Sequence, residues 1–143
     1  MFEALDFPYS YNEPLELIEN FEQFEDNCWL VIEKEGEIIG EISVCNADSR
    51  MGTFYYGIRI AEPHRGKGYG KKALRLVLDF YFFHLRYQKA NAYVFSYNNS
   101  SVLFHEKMGF KKEGVQRRMV YYSGDFHDRI MFGLTKEEFL EKF

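Results

Sequence analysis

Residues 64–72 read His64-Arg65-Gly66-Lys67-Gly68-Tyr69-Gly70-Lys71-Lys72, with three glycines alternating with basic and aromatic side chains. Glycines let backbone N–H groups approach an anion, and a helix starting here adds the positive end of its dipole. The stretch is not a nucleotide P-loop, because Gly70-Lys71 is followed by Lys72 and the position five before Gly70 is Arg65. Nor is it the dinucleotide fingerprint G-x-G-x-x-G, since its glycines fall at 66, 68 and 70. Lys67-Gly68-Tyr69-Gly70 matches the start of the RNA-binding RNP1 motif, but Lys71-Lys72-Ala73-Leu74 stands where further aromatics belong. A solvated basic turn is the plainest alternative, so the flanking sequence has to decide.

Before the glycines, residues 53–60 alternate as a strand; after them Ala73, Leu74, Val77, Leu78, Tyr81, Phe82 and Leu85 recur at helical spacing. The stretch therefore links a strand to the N-terminus of a long helix. Residues 28–33 and 37–45 read as strands around Lys34-Glu35-Gly36, giving an antiparallel meander with 53–60. Further on, 92–96 reads as a strand and 99–108 as a short helix stopped by Gly109. Residues 110–134 read as two strands around Ser123-Gly124-Asp125, and 135–142 as a helical turn with Thr135 and Glu138 in a capping box. Near the start, Asn12 caps a helix carrying Leu17, Ile18, Phe21 and Phe24 on one side. The class is α/β (α+β), a mixed and mostly antiparallel sheet flanked by helices, in one domain over 1–143.

A hydrophobic content of 46% indicates a packed chain rather than a disordered one. Met1-Phe2-Glu3-Ala4 does not open a secretory signal and no apolar run reaches membrane-spanning length, so the expectation is a soluble, cytoplasmic protein without a membrane partner. Cys28 and Cys45 have no thiol or histidine at metal-ligand spacing and read as small buried hydrophobes; no metal is expected. The net charge of −4 conceals a split: residues 1–41 carry twelve acidic side chains against Lys34 alone, and 42–143 carry ten acidic against seventeen basic. Such a split suits a cation at one face and an anion at another. The net negative total argues against a nucleic-acid partner.

Two segments together resemble the GNAT superfamily of acyl-CoA-dependent N-acyltransferases. Arg65-Gly66-Lys67-Gly68-Tyr69-Gly70 is similar to its pyrophosphate loop, and Asn98-Asn99-Ser100-Ser101 through Glu106-Lys107-Met108-Gly109-Phe110 to its second signature. The tail from Glu113 to Leu134 looks like the branch of ribosomal-protein and polyamine N-acetyltransferases. The resemblance covers about 28–134 and implies that fold, with the opening strand of the family either missing or degenerate within 1–11.

The resemblance further implies acetyl-CoA as co-substrate. Arg65, Gly66, Lys67, Gly68, Tyr69, Gly70 and Lys71 would hold its pyrophosphate, Ile58 and Ile60 would pair with pantetheine, and Asn98 and Ser101 would reach it from the neighbouring strand end. Gly57 would mark a bulge, and the Ile58 N–H would face the thioester oxygen. The acceptor would be an amine, cationic if the acidic N-terminal region borders its cleft, and a homodimer is within what the resemblance allows.

Acyl transfer needs a base for the amine and an acid for the thiolate. The chain departs from the family twice, with Tyr55 where many members carry glutamate and His105 where many carry a tyrosine acid. His105 is the candidate acid, and a structural histidine is the alternative. Glu41 is the first base candidate, ahead of Asp48, Tyr55 or a water relay. Tyr55, Tyr56, Tyr93 and Phe95 line an acceptor cleft or pack the core. The competing function is an acyl-CoA-binding protein that has lost turnover.

Overall fold

The structure, a computed structural model, describes residues 25–143. β1 (Cys28–Lys34) and β2 (Glu37–Asp48) turn about Glu35 and Gly36, whose φ values of 51° and 82° match the primed turns that suit strand twist. β3 (Thr53–Ile60) completes the meander, and α1 (Tyr69–Asp79) follows the glycine stretch. Then come β4 (Lys89–Phe95), α2 (Asn99–Lys107), β5 (Lys111–Tyr122), β6 (Asp125–Thr135) and α3 (Lys136–Lys142). The Thr135 hydroxyl accepts from the Glu138 N–H while the Glu138 carboxylate accepts from the Thr135 N–H, so the expected capping box is formed.

The six strands lie in the order β1-β2-β3-β4-β6-β5, antiparallel except where β3 meets β4. Strand alternation sends Ile42, Val44, Phe54, Tyr56, Ala90, Ala92, Val94, Phe132 and Leu134 to the face covered by the helices. There they bury Leu74, Val77 and Leu78 of α1, with Met108 and Phe139. The mixed, mostly antiparallel sheet with flanking helices is the expected class.

Several boundaries differ from the sequence reading. The apolar stripe running to Leu85 is not one α-helix, because α1 ends at Asp79 and Phe80–His84 form a π-helical turn. That turn still buries Tyr81 and Phe82, so the stripe serves the core through wider winding. Strand β4 begins at Lys89 rather than at 92 and β2 runs on to Asp48. The cysteines are half-buried rather than core residues, and both are free thiols. The helix expected after Asn12 and any degenerate opening strand lie outside the described residues. No helix among the described residues is long and apolar enough to cross a membrane.

The feature that positions the site is the short pairing of β3 with β4. Only Thr53, Phe54 and Tyr55 pair, with Lys89, Ala90 and Asn91, before the strands part. Asn91 closes the fork, its Nδ2 donating to the Phe54 carbonyl at 3.2 Å. The β2–β3 register runs without a shift from Ser43↔Gly57 to Gly40↔Ile60, so the bulge expected at Gly57 is absent. An opening beside Gly57 comes instead from the divergence of β4, which requires no extra residue.

Candidate acyl-transfer site

Hydrogen bonding fixes which β3 amides face the fork. The Ala61 N–H donates to Ile39 on the β2 side, whereas the Phe54 and Ile60 carbonyls accept from Asn91 and Arg65 on the other. Because N–H and C=O of one strand residue point the same way and alternate along the chain, the Ile58 and Ile60 amides point into the fork. They are the open ladder positions with which an extended ligand can pair.

Two cavities meet there. The larger, about 720 Å³, is lined by Ile58, Ile60, the glycine loop and the first turns of α2. The smaller, about 300 Å³, lies between Glu41, Ser43 and Cys45 of β2, the diverging parts of β3 and β4, and His105 of α2. Ile58, Arg59, Asn98 and Ser101 line both, making the two cavities neighbours through the fork.

In the larger cavity Gly66 (φ 74°) and Gly68 (φ 84°) hold left-handed conformations that favour glycine. Apart from the chain neighbours, a Cβ at either position would meet no atom of the described residues within 4 Å, so the space beside this backbone is open. Gly68 is the N-cap of α1 and supplies no side-chain cap, which leaves the first-turn N–H groups to a ligand. The Arg65 Nε donates to the Ile60 carbonyl at 2.8 Å and ties the loop to the strand end. Arg65, Gly66, Gly68, Tyr69, Gly70 and Lys71 all line this cavity, and Lys67 does not. Lys107, part of the second signature but given no ligand role from sequence, lines the same cavity from the last turn of α2. Open glycine backbone, helix N-terminus and converging cations fit a pyrophosphate.

Asn98 caps α2: its Oδ1 accepts from the Ser101 N–H at 3.2 Å and the Ser100 hydroxyl at 3.0 Å. This fixes the amide orientation and leaves its NH₂ group as the donor for a ligand. The Ser101 carbonyl, in turn, lies 2.7 Å from His105 Nδ1.

Of the catalytic candidates, Glu41 and His105 line the smaller cavity and Tyr55 lines neither. Glu41 Oε2 accepts from Trp29 Nε1 at 3.1 Å. Tyr55 sits opposite Cys45 and Asn91 in the ladder, and Asp48 spends a carboxylate oxygen on the Arg50 and Met51 amides of the turn. Tyr56, Cys45 and Tyr93 complete the cavity. The signal for Tyr56 was its place one residue from Tyr55, which sends its polar hydroxyl to the helix-covered face.

His105 is 4% exposed and stacks on Phe132 at 5.4 Å between ring centroids. Burial holds its pKa below the ordinary histidine value, against the opposing effect of the Ser101 carbonyl. The unfolded chain therefore binds a proton below about pH 6.5 that the folded ring resists, so stability falls as pH drops from there toward the lowered folded value. Thermal unfolding from pH 7.5 to 5 should show this fall in the wild type and a shallower one in His105→Leu. Equal slopes would mean that the ring titrates freely in the fold.

Comparison with known proteins bears on the family and the fold. A family model described as "Acetyltransferase (GNAT) family" matches residues 1–110. An uncharacterized N-acetyltransferase of the SPbeta prophage of Bacillus subtilis (strain 168), YokL, is 40% identical over 137 residues, covering 96% of this chain and 77% of the relative. An uncharacterized N-acetyltransferase of Bacillus licheniformis is 27% identical over 110 residues, covering 77% of this chain and 62% of its own length. A solved variant of the spermidine N-acetyltransferase SpeG from Vibrio cholerae shares the fold with a TM-score of 0.82 at 21% identity, covering 96% of this chain and 84% of that one. On the match over 1–110 and the 40% relative, this chain belongs to the acetyltransferase (GNAT) family, whose named relatives here are N-acetyltransferases.

Proposed function

We propose that this protein transfers the acetyl group of acetyl-CoA to a primary amine by direct attack in a ternary complex. The observation that carries the reading is the fork between β3 and β4, with a glycine-lined anion cradle on one side and a cavity holding Glu41 and His105 on the other. When bound, acetyl-CoA supplies the activated thioester. The glycine loop, Arg65 and Lys71 would neutralise its phosphates, and Asn98 and the Ile60 amide would hold the pantetheine arm. The Ile58 N–H is the donor available to the thioester oxygen as negative charge gathers there.

The acceptor must arrive, or become, a neutral amine, since an ammonium has no lone pair. Glu41 faces the cavity as a carboxylate able to attract a cationic acceptor, in keeping with the acidic bias of residues 1–41. That bias and the likeness to spermidine N(1)-acetyltransferase of Vibrio cholerae, 23% identical over 142 residues, favour a polyamine or similar small cation.

The test is the mass of products formed from acetyl-CoA with a panel of polyamines, aminoglycosides and peptide N-termini. One acetylated amine with equimolar free thiol is expected. CoA-dependent thermal stabilisation with no product from any amine would favour the silent binding protein instead.

A further inference from the structure

We propose that Tyr56 and His105 form the proton path of the reaction: the Tyr56 hydroxyl protonates the departing sulfur, and His105 Nε2 receives the proton shed by the attacking amine. The proposal rests on the acetyltransferase reading above and reverses the direction of proton flow expected for His105 from sequence. A carbonyl only accepts, so the 2.7 Å contact with Ser101 places the neutral ring's hydrogen on Nδ1 and leaves a bare lone pair on Nε2. His105 is thus built as an acceptor, and a nearby donor is needed for the sulfur.

Tyr56 meets that need. Its residue is 5% exposed, its ring lies 5.8 Å from that of His105 at 30°, and both line the smaller cavity. Among the described residues, the Tyr56 hydroxyl and His105 Nε2 are both buried without any hydrogen-bond partner, and they do not bond each other. A buried polar atom left unpaired destabilises the fold. Two of them, one donor and one acceptor on residues that line one cavity, are explained together if a bound ligand reaches and pairs with both.

The step balances. The amine lone pair forms the C–N bond as the C–S bond breaks and its electron pair leaves on sulfur. Sulfur takes the Tyr56 proton and becomes the free thiol, and nitrogen loses one proton to His105 Nε2. The imidazolium then returns that proton to the Tyr56 phenolate, so the net transfer is from nitrogen to sulfur. Burial disfavours a charge on either ring, which speeds this return. Among the described residues, the other titratable or charged groups facing the cavity are Glu41 and Cys45 of β2, Arg59 of β3 and Tyr93 of β4.

The experiment compares kcat, KM and pH profiles of wild type, Tyr56→Phe and His105→Leu with the amine found by the product screen. Tyr56→Phe keeps the ring and removes an unpaired hydroxyl, so it should fold at least as stably as wild type. Its kcat should fall about 100-fold with KM for acetyl-CoA within about twofold. His105→Leu should lose the acidic limb of the wild-type kcat/KM profile. An active wild type with Tyr56→Phe turning over within about twofold of it overturns this proposal alone. A wild type that acetylates no amine overturns the acetyltransferase reading, and this proposal with it.

Discussion

Gly68→Val is expected to abolish acyl-CoA binding in a chain that still folds. Gly68 caps α1 at φ 84°, and a Cβ there would meet no atom of the described residues within 4 Å beyond its chain neighbours. The direct cost to the fold is therefore backbone strain, roughly 1–2 kcal/mol for an L-residue held left-handed and greater for a β-branched one. The cost to the ligand is larger on two counts. The valine methyls take up open space in the larger cavity, and relaxation of φ turns the first-turn N–H groups of α1 away from the anion they would share. CoA should raise the melting temperature of the wild type and leave that of Gly68→Val unchanged at the same concentration. Binding within about tenfold of wild type would show that the pyrophosphate does not sit on this loop. Gly70→Ala is the companion. Its Cβ would lie 3.6 Å from Ile60 Cγ1 and Phe104 Cε2, in ordinary contact, and Gly70 is not left-handed, so any loss of binding there reports crowding of the ligand alone.

The second large effect falls on the fold. Phe54→Ala should destabilise the protein by on the order of 3–5 kcal/mol. Phe54 is fully buried, with ring centroids of Tyr81, Tyr87 and Phe82 at 4.5, 5.6 and 6.2 Å. Removing it empties the junction of α1, its π-helical turn and the sheet. Phe54 also pairs with Ala90 in the three-residue ladder that joins β3 to β4, so the space left by its ring lies directly beneath the fork. Domains of this size are stable by about 5–15 kcal/mol, so the loss removes a large share of the total and reaches the margin at the low end of that range. Urea unfolding should show a lower midpoint at unchanged m-value, and a loss below about 1 kcal/mol would mean that the aromatic cluster repacks around the gap.

Both predictions rest on features differing in how far they can be read along the chain. The turn around Lys34-Glu35-Gly36 and the Thr135–Glu138 capping box follow from residues within four positions of each other and are formed as expected, and the Asn98 cap, which the sequence reading did not include, is equally local. The same holds for the helix that starts after the glycines. The π-helical turn at Phe80–His84 was hidden because a stripe of apolar residues reads alike whether the winding is α or slightly wider.

The site separates along the same line. Arg65, the glycines and Lys71 line one cavity because they are neighbours in sequence, and the chirality of L-residues alone marks Gly66 and Gly68 as special. Lys107 joined them, and Tyr55 stayed outside, through packing between elements far apart in the chain. What the sequence by itself determined is the glycine loop that opens a helix, the order of strands and helices, and the family. Only the tertiary structure decided that β4 leaves β3 after three paired residues, that no bulge is needed at Gly57, and that Tyr56 and His105 line one cavity with a hydroxyl and an Nε2 unpaired among the described residues. The physical reason is range: turns, caps and helix starts are set by local dihedral and hydrogen-bond preferences, whereas a fork in a sheet and two unpaired polar atoms 49 positions apart are products of long-range packing.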